Sequence, residues 1–162
     1  MRELNFLNNL RKQGKLNLIE PSNEISVSYI NKSNKCLKSA KILLKNELYE
    51  NSISEAYYSM YDALIALLFK VGIKCENHSG AILILKLLFN EPLLSEEISL
   101  AKKERINKQY YVISKENLKL TKYSASNLIE KAENFILEIK LIIKNLQFEQ
   151  IKEIRRNFEE LK

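Results

Sequence analysis

Residues 51–71 read NSISEAYYSMYDALIALLFKV, and this stretch decides the fold. Ile53, Tyr57, Met60, Leu64, Leu67 and Val71 recur at alternating spacings of four and three, which places them on one face of a helix. Tyr58, Tyr61, Ile65 and Leu68 form a second stripe beside the first. A helix apolar on two sides is covered from more than one direction, as at the centre of a bundle. Its tyrosines read as core residues with hydroxyls at the rim rather than as a platform for stacking bases. Gly72 follows at once and supplies a left-handed C-cap.

Working outward, the rest of the chain agrees with an all-α architecture. Three Gly and two Pro in 162 residues leave little punctuation for a many-turned β fold. Hydrophobic residues make up 46%, enough for one core, and the length suits one domain. A short helix is expected over residues 2–12 with Leu4, Leu7 and Leu10 inward, then a linker over 14–23. Pro21-Ser22-Asn23 opens a long helix over 26–47, with Ile30, Leu37, Ala40, Leu44 and Leu48 as its apolar stripe. Lys32, Lys35, Lys38, Lys41 and Lys45 fall on the far side, which reads as a solvated face or a nucleic-acid surface. Residues 73–77 read as a loop before a helix from His78 to about residue 90. Pro92 breaks the chain, and Ser95-Glu96-Glu97 starts the next helix with acidic residues at its positive end. The last long helix, over 124–146, turns Leu128, Ala132, Phe135, Ile139 and Ile142 inward.

Ile151, Ile154, Phe158 and Leu161 then make a short amphipathic tail. Too short to be stable alone, it is expected to dock on the bundle, a second copy or a partner. The expected division is 1–25 as N-terminal helix and linker, 26–147 as bundle and 148–162 as tail.

The position that points to function is Arg105. Leu94, Ile98, Ala101, Arg105, Gln109 and Val112 share one helical stripe, with a guanidinium near its middle. That group is always charged and has five N–H donors to satisfy. Burying it unpaired costs several kcal/mol. The stripe therefore opens onto a cleft, a carboxylate, a partner subunit or an anionic ligand. Lys102, Lys103 and Lys108 add positive field around it. Asn107 and Tyr111, four apart on one face, can bond a ligand or each other.

Other chemistries find little support. One histidine and two cysteines without a CxxC pair make no zinc site, and no Gly-rich phosphate loop, HExxH pair or serine triad is present. No cofactor or metal is called for. The net charge of +6 permits a phosphate or acidic partner without requiring one. No signal-like or membrane-spanning run is seen, so a cytoplasmic protein with reduced thiols is expected. His78, at a helix start, reads either as a neutral imidazole bonding a backbone carbonyl or as an acid/base group.

The segment AYYSMYDAL at residues 56–64, the Gly72 loop, His78-Ser79-Gly80 and the later arginine helix occur here in the order found in the HEPN (higher eukaryotes and prokaryotes nucleotide-binding) domain family. The chain resembles its small stand-alone prokaryotic members over about residues 26–146. The resemblance implies an antiparallel up-and-down bundle of four to five main helices, often dimeric, with a composite cleft where two arginine helices meet. Many members are metal-independent ribonucleases with an R-x(4-6)-H motif. In these the arginine contacts the scissile phosphate, the histidine moves a proton, and a cyclic phosphate is left. Others are toxins neutralised by a small nucleotidyltransferase antitoxin, and some are binding modules without activity.

This chain departs from the ribonuclease motif. Ile106 follows the arginine, and no histidine comes after it; Tyr110 stands in the histidine's place. A tyrosine of ordinary pKa near 10 is a poor base at pH 7, and Tyr110 projects about 140° from Arg105 on a regular helix. Three readings follow: RNA or nucleotide phosphate bound at Arg105 in a homodimer cleft, with a nucleotidyltransferase antitoxin as the expected partner; a metal-independent endoribonuclease using Arg105 with Tyr110 or His78; and a non-catalytic protein-interaction or dimerisation module.

Overall fold

The computed structural model describes the backbone of residues 2–110 and 115–161, and the side chains of residues 2–107 and 121–161. The described elements are, in chain order, α1 (Arg2–Lys12), β1 (Leu16–Leu18), α2 (Asn23–Lys45), α3 (Tyr49–Val71), β2 (Ile73–Cys75), α4 (His78–Leu88), α5 (Pro92–Tyr110), α6 (Lys115–Asn145) and α7 (Phe148–Glu160). The chain is an all-α helical bundle.

α3 is its axis. Tyr57, Met60, Leu64, Leu67 and Val71 are completely buried, and the second stripe contributes Ile65 and Leu68. Gly72, at φ 76°, ends the helix as a left-handed cap. α2 runs antiparallel to α3, with Ser33 opposite Ser59 and Ala40 opposite Ser52. Small residues let the two helices approach closely. The Ser33 hydroxyl donates to the Ser59 carbonyl at 2.7 Å and the Ser52 hydroxyl to the Ala40 carbonyl at 2.8 Å, so these buried polar groups are satisfied. α6 also lies antiparallel to α2, pinned by Lys41 to Glu133 and by Lys140 to Asn34. Leu128, Ala132, Phe135 and Ile139 of α6 enter the core as expected.

The structure corrects several local expectations. Residues 14–23 and 73–77 are not simply connecting segments. Leu16, Asn17 and Leu18 pair antiparallel with Cys75, Lys74 and Ile73, forming a short ribbon that ties the N-terminal segment to the end of α3. Pro92 does not break the chain ahead of a helix at Ser95; it is the first residue of α5, where its missing N–H costs nothing. Leu48 lies beyond α2 and is half exposed. Two of the far-side lysines of α2 are engaged, Lys32 with Asp62 and Lys41 with Glu133.

The amphipathic tail docks on its own bundle. As α7 it buries Ile154 and Phe158, and the Arg11 guanidinium of α1 lies over the Phe158 ring and donates to the Phe158 and Leu161 carbonyls. No helix among the described residues is long and apolar enough to cross a membrane.

Candidate functional site

The stripe of α5 is built as its spacing predicts. Ile98 and Ala101 are buried, and Arg105 follows on the same face, half-buried where α5 packs on α3. Gln109 and Val112 lie outside the described side chains.

Two consecutive tyrosines of α3 receive the guanidinium. The Arg105 Cζ is 5.3 Å from the Tyr57 ring centroid and 5.4 Å from that of Tyr58, both within cation–π range. Its Nη1 donates to the Tyr58 hydroxyl at 3.4 Å, a long bond. Its Nε is buried and has no hydrogen-bond partner among the described residues. No ion pair between Arg105 and a carboxylate occurs among the described residues. The aromatic faces stabilise the charge in part but accept few of its N–H groups. A buried donor left unmade costs about 1–3 kcal/mol.

His78 shares these tyrosines, although sequence spacing gave no sign of it. β2 returns the chain along the core, and Asn77 caps α4 by accepting from the Gly80 amide, so the first residue of α4 faces the middle of α3. The His78 ring stacks on Tyr61 with centroids 3.8 Å apart and planes 11° apart. Its Nδ1 lies 2.6 Å from the Tyr57 hydroxyl. The backbone-carbonyl partner considered for His78 is thus replaced by a tyrosine.

Burial lowers the His78 pKa from its ordinary value, and the nearby charges of Lys102 and Arg105 lower it further, partly offset by Asp62. The ring is therefore neutral at pH 7. Burial raises the pKa of Tyr57 and of Tyr61, so both hydroxyls keep their protons. A neutral ring accepts from Tyr57 at Nδ1 in one tautomer and donates from Nδ1 to the Tyr57 oxygen in the other.

Lys102 sits one helical turn before Arg105, and its Nζ donates to the Ser79 hydroxyl at 2.6 Å. Burial and the Arg105 charge lower its pKa. Two cations and a neutral imidazole thus face one another across α4 and α5. Asp62 does not balance them: its buried carboxylate pairs with Lys32 at 2.9 Å on the α2 side. Cys36 approaches Asp62 at 3.7 Å, and burial with the charges of Glu55 and Asp62 pushes its thiol up to about 12, a poor nucleophile.

Of the other candidates, Asn107 is exposed, and Lys108, Tyr110 and Tyr111 have side chains outside the described residues. Among the described residues no three of His, Cys, Asp and Glu gather as metal ligands. Tyr57, Tyr58, Tyr61 and Ser79 are walls of the site; sequence reasoning read the tyrosines as core and gave none of the four a site role. Their signals were the AYYSMYDAL and His78-Ser79-Gly80 motifs and the four-residue spacing of Tyr57 and Tyr61 along α3.

Comparison with known proteins identifies the family. A family profile described as HEPN domain matches residues 26–143. A Methanocaldococcus jannaschii protein named "putative toxin" is 32% identical over 114 residues, which is 68% of this chain and 82% of the relative. A second protein of that organism with the same designation is 30% identical over 123 residues, covering 72% and 82%. The UPF0332 protein of Pyrococcus horikoshii is 35% identical over 104 residues, covering 64% and 67%. The match takes in α3, the His78 turn and the Arg105 helix, and the chain belongs to the HEPN domain family.

Proposed function

We propose that this is a toxin-like HEPN protein that takes a phosphate of RNA or of a nucleotide at Arg105, in a cleft completed by a second copy, and that a small nucleotidyltransferase is its antitoxin. The observation that carries the reading is the half-exposed Arg105 guanidinium, held against Tyr57 and Tyr58 with no carboxylate partner among the described residues. A phosphate at the half-exposed Arg105 side chain neutralises its crowding with Lys102. Arginine suits the task because its planar fork meets phosphate bidentately. The names of the jannaschii relatives favour a toxin role.

The deciding experiment is RNA binding by wild type and Arg105→Ala at several salt concentrations. Affinity is expected to fall more than tenfold in the variant, with an unchanged helical CD spectrum. The wild-type logarithm of affinity should fall linearly with the logarithm of salt. Equal binding by both proteins refutes the proposal.

A second reading, metal-independent cleavage of RNA, is favoured by the Tyr57–His78 contact. In the tautomer donating from Nδ1 to Tyr57, Nε2 of a neutral His78 is free to take a proton. The 2′-hydroxyl would lose that proton as its oxygen attacks phosphorus. The bond to the 5′ oxygen then breaks, that oxygen takes a proton from water, and a 2′,3′-cyclic phosphate remains. Incubation of labelled RNA with EDTA tests it. Cleavage lost in both Arg105→Ala and His78→Gln supports the reading, and cleavage unchanged in either refutes it.

A further inference from the structure

A cleft of about 830 Å³ opens on the other side of Lys102, between α1, α4 and α5. Phe6 of α1, Leu83 of α4 and Ile106 of α5 give it an apolar lining, and Ser79 and Lys102 form the wall it shares with the Arg105 site. Ile106 is the residue after Arg105 and is 38% exposed, so the same turn of α5 presents a cation and an apolar surface side by side. That turn of sequence explains the unusual apolar residue after the arginine. The α1 wall lies outside the segment matched to the family.

We propose that the cleft holds the nucleoside of the nucleotide whose phosphate sits on Arg105 and Lys102. The inference rests on the phosphate reading above and adds a subsite to it. The volume falls in the range of small-molecule sites and exceeds what one base and one ribose require. The Phe6 ring, 37% exposed, offers a face on which a base can stack. The Glu96 carboxylate on the rim accepts from ribose hydroxyls. Glu3 is neutralised by Lys86 at 2.8 Å, which leaves the approach to Lys102 and Lys103 positive for an anionic ligand. A purely apolar occupant such as a partner helix would leave those lysines facing carbon, so charge favours the nucleotide.

The test compares the four nucleoside 5′-monophosphates with ribose 5-phosphate, which carries the same phosphate without a base. At least one monophosphate is expected to bind about tenfold tighter than ribose 5-phosphate, the size of one stacked base. Phe6→Ala and Ile106→Ser, two exposed positions changed without adding charge, should each erase that preference and leave ribose 5-phosphate binding unchanged. Arg105→Ala should weaken all five ligands alike. Competition by a short single-stranded RNA distinguishes its source: displacement of the monophosphate assigns the cleft to RNA, and none assigns it to a free nucleotide.

Equal, Arg105-dependent binding of all five ligands overturns the subsite while the phosphate reading stands. A preference lost in Phe6→Ala, with the affinity of all five ligands unaltered by Arg105→Ala, keeps the subsite and overturns the phosphate reading. A preference that survives both cleft variants, or no binding at all, overturns the subsite. So does a change in self-association without a change in ligand binding, which would make the cleft a contact between copies.

Discussion

The Tyr57 hydroxyl meets Nδ1 of His78 at 2.6 Å, joining the centre of the core helix to the one histidine of the chain. Burial, Lys102 and Arg105 all act to keep that ring neutral. The consequence for stability has a definite sign. The folded-state pKa lies below the unfolded value of about 6.5, so the unfolded chain takes the proton first as pH falls. His78 should therefore favour the folded state fully above about pH 6.5 and progressively less as pH drops toward its folded pKa. Denaturation followed from pH 8 to 5 should show this loss, and His78→Gln should flatten the part of the curve nearest pH 6. The imidazole NMR signals, unambiguous with one histidine, should titrate below the ordinary value. Titration at or above 6.5 would contradict the packing of this site.

Tyr57→Phe isolates the hydrogen bond from the ring. The phenyl group keeps the stacking and the cation–π face but leaves Nδ1 without its partner. Stability is expected to drop by about 0.5–1.5 kcal/mol, and the His78 ring signals should shift. Denaturant midpoints together with the imidazole spectrum check this. A stability change without a spectral change would place the effect elsewhere in the core.

Arg105 should behave oppositely to an ordinary buried polar residue. Its unpartnered Nε and its closeness to Lys102 are costs in the free protein. Arg105→Met fills similar volume without a charge. It is expected to leave stability unchanged or raise it by up to about 2 kcal/mol, while reducing RNA or nucleotide binding more than tenfold. Stability and function that trade in this way mark a site kept for a ligand. A loss above about 1 kcal/mol in denaturant unfolding would instead mark Arg105 as a structural residue.

Much of this arrangement was legible in local patterns. The 4-3 spacing from Ile53 to Val71 fixes which side of α3 is inward, and Gly72 marks its end, because both follow from helix geometry alone. Arg105 was legible as a cation on an apolar stripe for the same reason. The meeting of His78 with Arg105 was not, since it depends on how β2 redirects the chain, and no periodicity carries that information. The three-residue strands are too short to alternate visibly, so 16–18 and 73–75 looked like connections. Ser33 and Ser52 look like surface residues in a hydropathy reading. They are buried because each hydroxyl finds a carbonyl on the neighbouring helix. Tyr57 hid its role in the opposite way: its ring marked it as core with a hydroxyl at the rim, whereas the residue is fully buried and its hydroxyl meets His78.

The closure of the bundle gives the last prediction, and it tests the assembly rather than the site. Arg155 of α7 donates through Nη1 to the carbonyls of Ile19, Val71 and Gly72 at 2.7, 3.0 and 3.1 Å, gathering the end of α3 and the segment after β1 under the tail. Gly72 allows this because of its positive φ and because a Cβ there would collide with the Ile19 carbonyl oxygen and the Arg155 guanidinium. Gly72→Ala combines backbone strain with displacement of Arg155 and should cost at least about 1–3 kcal/mol. Arg155→Ala, which takes the donor from the Ile19 and Val71 carbonyls while Gly72 keeps the Ile19 amide, should cost a comparable amount, about 1–3 kcal/mol. The double variant should lose less than the sum of the two, because the alanine at 72 has already displaced the guanidinium. Urea unfolding of the four proteins measures that coupling. Strict additivity would mean that Arg155 and Gly72 act separately.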